Sequence, residues 1–379
     1  MPVRPRDRVE SALNHEQPDR TPMYLSWVPE FRSRLARVLG VGLSDMIGED
    51  GRWLFTLERL MGADMIVKHC GWVSTGYYQP GYDQPGAEYI DEWGVTWKST
   101  PYQTPYGIGH YTEIHKNPIK NRADLEAYQP PDPLRPELYT DVERLVSEFG
   151  DTYWISAAML ATTFESAWAL HGLEQTLIDV VADPELAEEV IDIPFQYHLA
   201  MGRRLADLGV DMIWLGDDVG GQHGMLISPK TWRRLIKPRL AELISSFKRV
   251  NPNVLVALHT CGNVLPIIPE LIEVGLDVLN PIQPAAMSPG ELKHKFGKNL
   301  SFFGAMDEQQ TLPFGTKADV VREATELIEV MGKDGGYILA PAHHIQLDTP
   351  MENLWAMVET VIGTTPTSYE HLKIVDPVR

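Results

Sequence analysis

His259 and Cys261 stand one residue apart at the end of the apolar run Val254-Leu255-Val256-Ala257-Leu258. Pro252 and Gly262 bracket that run, which reads as a strand buried on both faces, as in a parallel sheet. Alternate strand residues share a face, so the imidazole and the thiol point the same way. Such a pair suits zinc, provided the compartment keeps the thiol reduced. Two ligands are too few, because a reactive zinc site wants three from the protein and one open position. His343 is the best placed third donor, with His344, Asp217 and Glu165 as competitors. The competing reading makes His259 a hydrogen-bonding cap and Cys261 a small buried apolar residue.

Polar residues gather wherever an apolar run stops. Lys68, His69 and Cys70 follow one run; Met159, Thr162, Thr163 and Glu165 follow another. Asp217, Asp218, Gln222 and His223 follow a third, Asn280 and Gln283 a fourth, Asp307 a fifth, and His343, His344 and Gln346 the last. Asp217, Asp218 and Asp307 could bind a cation, orient a ligand or move a proton, and each could equally cap a turn. Met159, Glu165, Gln222, His223, Asn280, Gln283, His344 and Gln346 are expected to line the substrate pocket. Cys70 reads as packing, and His69 as either surface or site.

These positions need a scaffold that brings strand ends together. Eight strand candidates alternate with amphipathic helices: 23–28, 62–67, 153–159, 209–215, 254–259, 275–280, 300–306 and 336–341, the first being the weakest. The phrase Gly-x-Asp followed by an apolar run occurs at Gly62, Gly209 and Gly275, each after a helical stretch, as at the αβ joint of an alternating fold. Asp183-Pro184, Ser228-Pro229, Ser288-Pro289 and Thr349-Pro350 mark helix starts, with Glu291 and Glu352 completing capping boxes. The alternation predicts a single (β/α)8 TIM barrel over residues 1–379, whose strand ends share one mouth. A doubly wound sheet is the alternative, but no G-x-G-x-x-G or Walker pattern is present. Residues 72–129, rich in Gly, Pro and Tyr, read as a β-hairpin insertion after the second strand, shaping the mouth.

Composition narrows the partners. A net charge of -19 leaves no basic excess for phosphate backbones or an anionic membrane surface. The first residues lack an apolar h-region, and no apolar run nears the ~20 residues of a membrane span. With two cysteines in 379 residues, the expectation is a cytoplasmic protein with reduced thiols.

Several segments, in this order, resemble the uroporphyrinogen decarboxylase superfamily. They are Arg6-Asp7-Arg8-Val9 with Asn14-His15-Glu16-Gln17-Pro18-Asp19-Arg20-Thr21-Pro22, then Gly216-Asp217-Asp218 with Ile227-Ser228-Pro229, then His259-Thr260-Cys261-Gly262. Gly275-Leu276-Asp277-Val278-Leu279-Asn280-Pro281-Ile282-Gln283 and Asp348-Thr349-Pro350-Met351-Glu352-Asn353-Leu354 complete the set, which spans nearly the whole chain. The resemblance implies one (β/α)8 barrel. True decarboxylases of the family carry an arginine-rich segment near the first strand, where this chain reads Tyr24-Leu25-Ser26-Trp27-Val28-Pro29-Glu30-Phe31. The other branch holds zinc-dependent methyltransferases that move a methyl group between a corrinoid protein and a thiol or tetrahydrofolate. Their ligand motif is His-x-Cys with a further Cys after the last strand. His259 and Cys261 match it; Pro341-Ala342-His343 departs from it. The resemblance therefore implies a zinc-assisted methyltransferase with a methylcorrinoid-carrying partner protein. Two alternatives stay open: a cofactor-free decarboxylase of a small acid, and a non-catalytic ligand-binding barrel.

Overall fold

The structure is a computed structural model in which residues 3–48, 52–70 and 84–363 are described. Seven parallel strands form one curled sheet: β1 (Met65–His69), β2 (Trp154–Met159), β3 (Met212–Gly216), β4 (Leu255–His259), β5 (Val278–Asn280), β6 (Ser301–Met306) and β7 (Tyr337–Pro341), paired in chain order. Helices connect them, and the fold is the expected (β/α)8 barrel.

The eighth stave is irregular. Residues 22–28 lie between β7 and β1, with the Tyr24 N–H donating to the Leu339 carbonyl at 3.0 Å and Val28 to Ile345 at 3.0 Å. On the other side, Asp64 N–H donates to the Met23 carbonyl at 2.9 Å. Isolated bridges replace a continuous ladder, because Pro22 has no N–H and Met23 donates instead to the Asp64 carboxylate at 2.9 Å. The weakest of the eight predicted strands thus closes the barrel without being a regular strand.

Strand alternation sorts side chains into two cores. Met65, Val67, Trp154, Ala158, Trp214, Ala257, Phe303 and Ile338 fill the barrel interior. Ile66, Ile155, Ile213, Leu215, Val256 and Leu339 face the helices. Strands covered on both faces are why the sequence shows continuous apolar runs.

The repeated Gly-x-Asp phrase has a structural task at the opposite end from the mouth. Asp64, Asp211 and Asp277 accept backbone N–H bonds from Met23, Ile155 and Val256, each on a neighbouring stave, at 2.7 to 2.9 Å. Each carboxylate also meets a cation: Arg8 and Arg20, Arg6, and Lys248 respectively. These aspartates lock adjacent strands in register.

The insertion is larger than the expected hairpin. Glu88–Ile90, Thr96–Thr104 and Gly107–Lys116 form a three-stranded antiparallel sheet, while residues 72–83 of the predicted insertion lie outside those described. Its long hairpin rests beside the mouth: the Arg34 guanidinium sits 3.6 Å over the Tyr106 ring, and the Tyr102 hydroxyl donates to Gln346 at 3.3 Å.

Asp183 and Ser228 cap their helices as expected, accepting from Leu186 and Thr231 N–H. Ser288 stands at the N-cap of the helix Pro289–Phe296, as expected, but makes no side-chain cap bond, and the last helix starts at Met351 with Pro350 rather than Thr349 at the cap position. Among the described residues no helix is long and apolar enough to cross a membrane.

Candidate metal centre at the barrel mouth

β4 delivers His259 at its last residue, and the chain turns so that Cys261 follows on the same side. β7 ends at Pro341 and delivers His343 two residues later. One ligand atom from each of His259, Cys261 and His343 lies within 4.8 Å of the other two. The Cys261 Sγ is 3.4 Å from His259 Nε2, and the rings of His259 and His343 meet edge to face at 5.7 Å.

The protonation of His259 follows from its neighbour. Asn280 donates its amide nitrogen to the Phe303 carbonyl at 3.0 Å, which leaves its oxygen facing His259 Nδ1 at 2.6 Å. Nδ1 therefore carries the hydrogen, and the Nε2 lone pair points at the cluster. Burial, then the neighbouring His259, pushes His343 down to about 4, so it is neutral with a free lone pair. Burial, then Asp218 and Glu165, pushes the Cys261 thiol well up. A divalent cation would reverse that shift, since coordination deprotonates a thiol. Two imidazole nitrogens and one sulfur, one imidazole oriented by an amide, fit zinc with a position left open to the cavity.

Gly262 sets the turn after Cys261. Its φ is +81°, and a Cβ there would lie 2.6 Å from the Gly220 carbonyl carbon. Gln283 accepts from the Gly262 N–H, and Asp218 accepts from the Cys261 N–H at 2.8 Å. Backbone, not bulk, holds the thiol in place.

The open side faces a cavity of about 90 Å³ lined by Tyr24, His69, Leu160, Glu165, Trp214, Asp218, Phe303 and His344, among others. Of the adjacent acids, Asp218 lies here, whereas Asp217 points to the helix layer. There it accepts from the Glu165 N–H at 2.8 Å and from the Thr163 hydroxyl, at the start of the helix Phe164–His171. Burial nonetheless pushes Asp217 up to about 6. Burial, then Asp218 and Asp217, pushes the Glu165 carboxyl, which lines the cavity, well above the carboxylate range.

Other expected lining residues lie elsewhere. Met159 is one position off the inward register and packs near Gly202 in the helix layer; its neighbour Leu160 takes the place in the cavity wall. Asp307 folds back to accept from the Gln309 and Gln310 N–H groups. Gln222 and His223 are exposed at the tip of a small hairpin after β3. Gln346 donates to the His344 carbonyl at 3.0 Å and so braces the loop after β7. His69 lines the cavity, and the alternation Met65, Val67, His69 along β1 carried that signal.

Residues 104–363, more than half of the chain, match the uroporphyrinogen decarboxylase family. The chain belongs to that family. Its relatives include the methylated-thiol–coenzyme M methyltransferase of Methanosarcina mazei, 27% identical over 218 residues, which are 57% of this chain and 55% of that protein. A methylcobamide:CoM methyltransferase of Methanosarcina barkeri is 28% identical over 175 residues, 46% of this chain and 48% of that protein. The chain thus spans about half the length of these methyltransferases. A uroporphyrinogen decarboxylase of Anaeromyxobacter is 22% identical over 265 residues, 65% of this chain and 69% of its own length. Among solved structures, a methyltransferase from Methanosarcina mazei superposes with a TM-score of 0.68 at 20% identity, over 96% of this chain and 99% of the other, which supports the barrel.

Proposed function

We propose that the protein transfers a methyl group between a corrinoid carried by a partner protein and a small acceptor, tetrahydrofolate or a thiol, bound at the barrel mouth. The observation that carries this reading is the convergence of His259, Cys261 and His343 on one point beside an open cavity. Two relatives are methyltransferases named for methylcobamide or coenzyme M, and the cavity wall has Tyr24 and Ser26 on the segment where decarboxylases carry arginines. Among the described residues no lysine or arginine lines this cavity, while the Asp218 carboxylate does, which disfavours a substrate bearing many carboxylates.

Zinc on the three donors would serve as a Lewis acid that lowers the pKa of a bound acceptor. An imidazole at position 343 in place of a thiolate leaves the site one negative charge poorer, so an acceptor would ionise more readily and attack less strongly. The protein's own groups do the rest. Asn280 fixes the His259 tautomer, and Asp218 fixes the Cys261 backbone. Glu165, in the cavity wall with its carboxyl pushed up by burial, would hold or return a proton at the acceptor. Tyr24, Trp214 and Phe303, in mutual edge and tilted contacts of 4.9 to 5.9 Å, seal the cavity floor against water.

Mixing purified protein with methylcobalamin and either tetrahydrofolate or 2-mercaptoethanesulfonate tests the proposal. The expected result is loss of the methylcobalamin spectrum matched by methylated acceptor. Zinc-loaded protein that transfers to neither acceptor would refute it, and carbon dioxide released from a small acid by metal-stripped protein would favour a decarboxylase.

A further inference from the structure

Beside the metal centre lies a larger cavity of about 250 Å³, between the end of β1, the helix Thr140–Phe149 and the segment around Trp53. Arg32, Lys68 and Arg144 line it together with the apolar walls Trp53, Phe55 and Leu145. In a chain of net charge -19, this concentration of cations stands out. Glu58 and Asp141 line the same cavity and pair with these cations unevenly. Lys68 pairs with Asp141 at 2.6 Å, and Asp141 stays ionised against its partial burial because Lys68 holds it low. Among the described residues Arg32 has a loose ion pair with Glu58 at 3.7 Å, and burial pushes Glu58 up, toward the neutral form. The nine-tenths-buried Arg144 side chain donates to the Trp53 carbonyl and Glu148, while its Nε finds no partner among the described residues. The Arg32 guanidinium lies 4.5 Å over the Trp53 ring, so its face is already turned to flat groups.

The two cavities adjoin. His69 lines both, and a narrow cleft of about 40 Å³ between them is bounded by Arg32, Phe55, Glu58, His69 and His344. From His343 in the cluster, ring-to-ring steps of 5.1 Å to His344 and 6.3 Å to His69 lead to the cationic cavity.

We propose that this side cavity binds the anionic end of an elongated organic molecule with a flat apolar body, whose other end reaches the His259–Cys261–His343 cluster. Arg32 and Lys68 hold the anion, and Trp53 and Phe55 hold the body. Naming that molecule as the methyl acceptor rests on the methyl-transfer reading; the binding site does not. The charge pattern separates the two ends of such a substrate, because the Asp218 carboxylate at the cluster disfavours an anion that the side cavity attracts.

Isothermal titration calorimetry of the full-length, zinc-loaded protein with 4-phenylbutanoate and its neutral twin 4-phenylbutanamide tests this. The expected result is acid binding at least tenfold tighter than amide binding. Arg32→Gln and Lys68→Gln should each weaken the acid tenfold or more and leave the amide unchanged, with partial recovery in Arg32→Lys. Equal binding of acid and amide by the wild type, no binding of either, or acid binding unchanged in both glutamine variants would overturn it. The wild-type comparison stands even if a variant fails to fold. Methyl transfer is scored in parallel: probe binding with no transfer counts against the function alone, and transfer with no probe discrimination against the cavity alone.

Discussion

His259 Nδ1 lies 2.6 Å from Asn280 Oδ1, and the two residues are register partners on adjacent strands. That bond turns Nε2, rather than Nδ1, toward Cys261. Asn280→Leu removes it while keeping the apolar contacts. Loss of such an outer partner costs about 10- to 100-fold in metal affinity, and competition against a zinc chelator measures it. Affinity equal to wild type would mean that the tautomer is fixed by other groups.

Cys261→Ser and His343→Ala test whether three donors act together. Wild-type protein is expected to hold one zinc per chain by elemental analysis, and both variants are expected to lose most of it on dialysis. Cys70→Ser serves as the contrast, because Cys70 is buried and its thiol is pushed up to about 12 by that burial. It should leave the zinc content unchanged. Full zinc in His343→Ala would remove His343 from the ligand set.

Gly262→Ala places a side chain where the backbone has φ +81° and where the Gly220 carbonyl carbon is 2.6 Å away. The strain of a left-handed residue is about 1–3 kcal/mol, and relief can come by shifting the turn that carries Cys261. A lowered urea midpoint together with weaker zinc binding is expected. Lowered stability with intact zinc binding would show that the turn absorbs the strain elsewhere.

Glu308 predicts a pH effect of definite sign. Burial, then Asp307 and Asp348, pushes its carboxyl up to about 8. The unfolded chain releases that proton near its ordinary value of about 4.3, so between the two values the folded protein keeps a proton that the unfolded chain has lost. Stability from this group is therefore complete below about 4 and falls as pH rises toward 8. The wild-type melting temperature should decline across that window, and Glu308→Gln should flatten the decline. An identical slope in the variant would place the titration on another group.

Local pattern was enough for much of this molecule. Apolar runs marked seven barrel strands, since a strand covered on both faces must be apolar throughout. His259 and Cys261 were legible as a pair because period-two alternation is a property of the backbone alone. The same rule, applied from the barrel core outward, separates inward Asp218 and Leu160 from outward Asp217 and Met159. Sequence position by itself left Asp217 and Asp218 both open, and named Met159 where the structure has Leu160 in the cavity wall. The helix start at Ser288 was legible, although its side chain makes no cap bond; at Thr349 the cap position moves to Pro350, because several residues near a proline can serve as the cap and tertiary packing chooses among them.

What lies far apart in sequence was decided only by closure of the barrel. His343 stands 82 positions after Cys261, yet the parallel order of β4 to β7 and the stave at residues 22–28 curl the sheet until their ligand atoms meet. Asn280 reaches His259 because the β4–β5 register pairs them, and Asp277 helps hold that register from the other end. The side cavity has no sequence motif, because Arg32, Lys68 and Arg144 sit on three separate elements. Residue type sets what each group can do; strand register and curvature set which groups do it together.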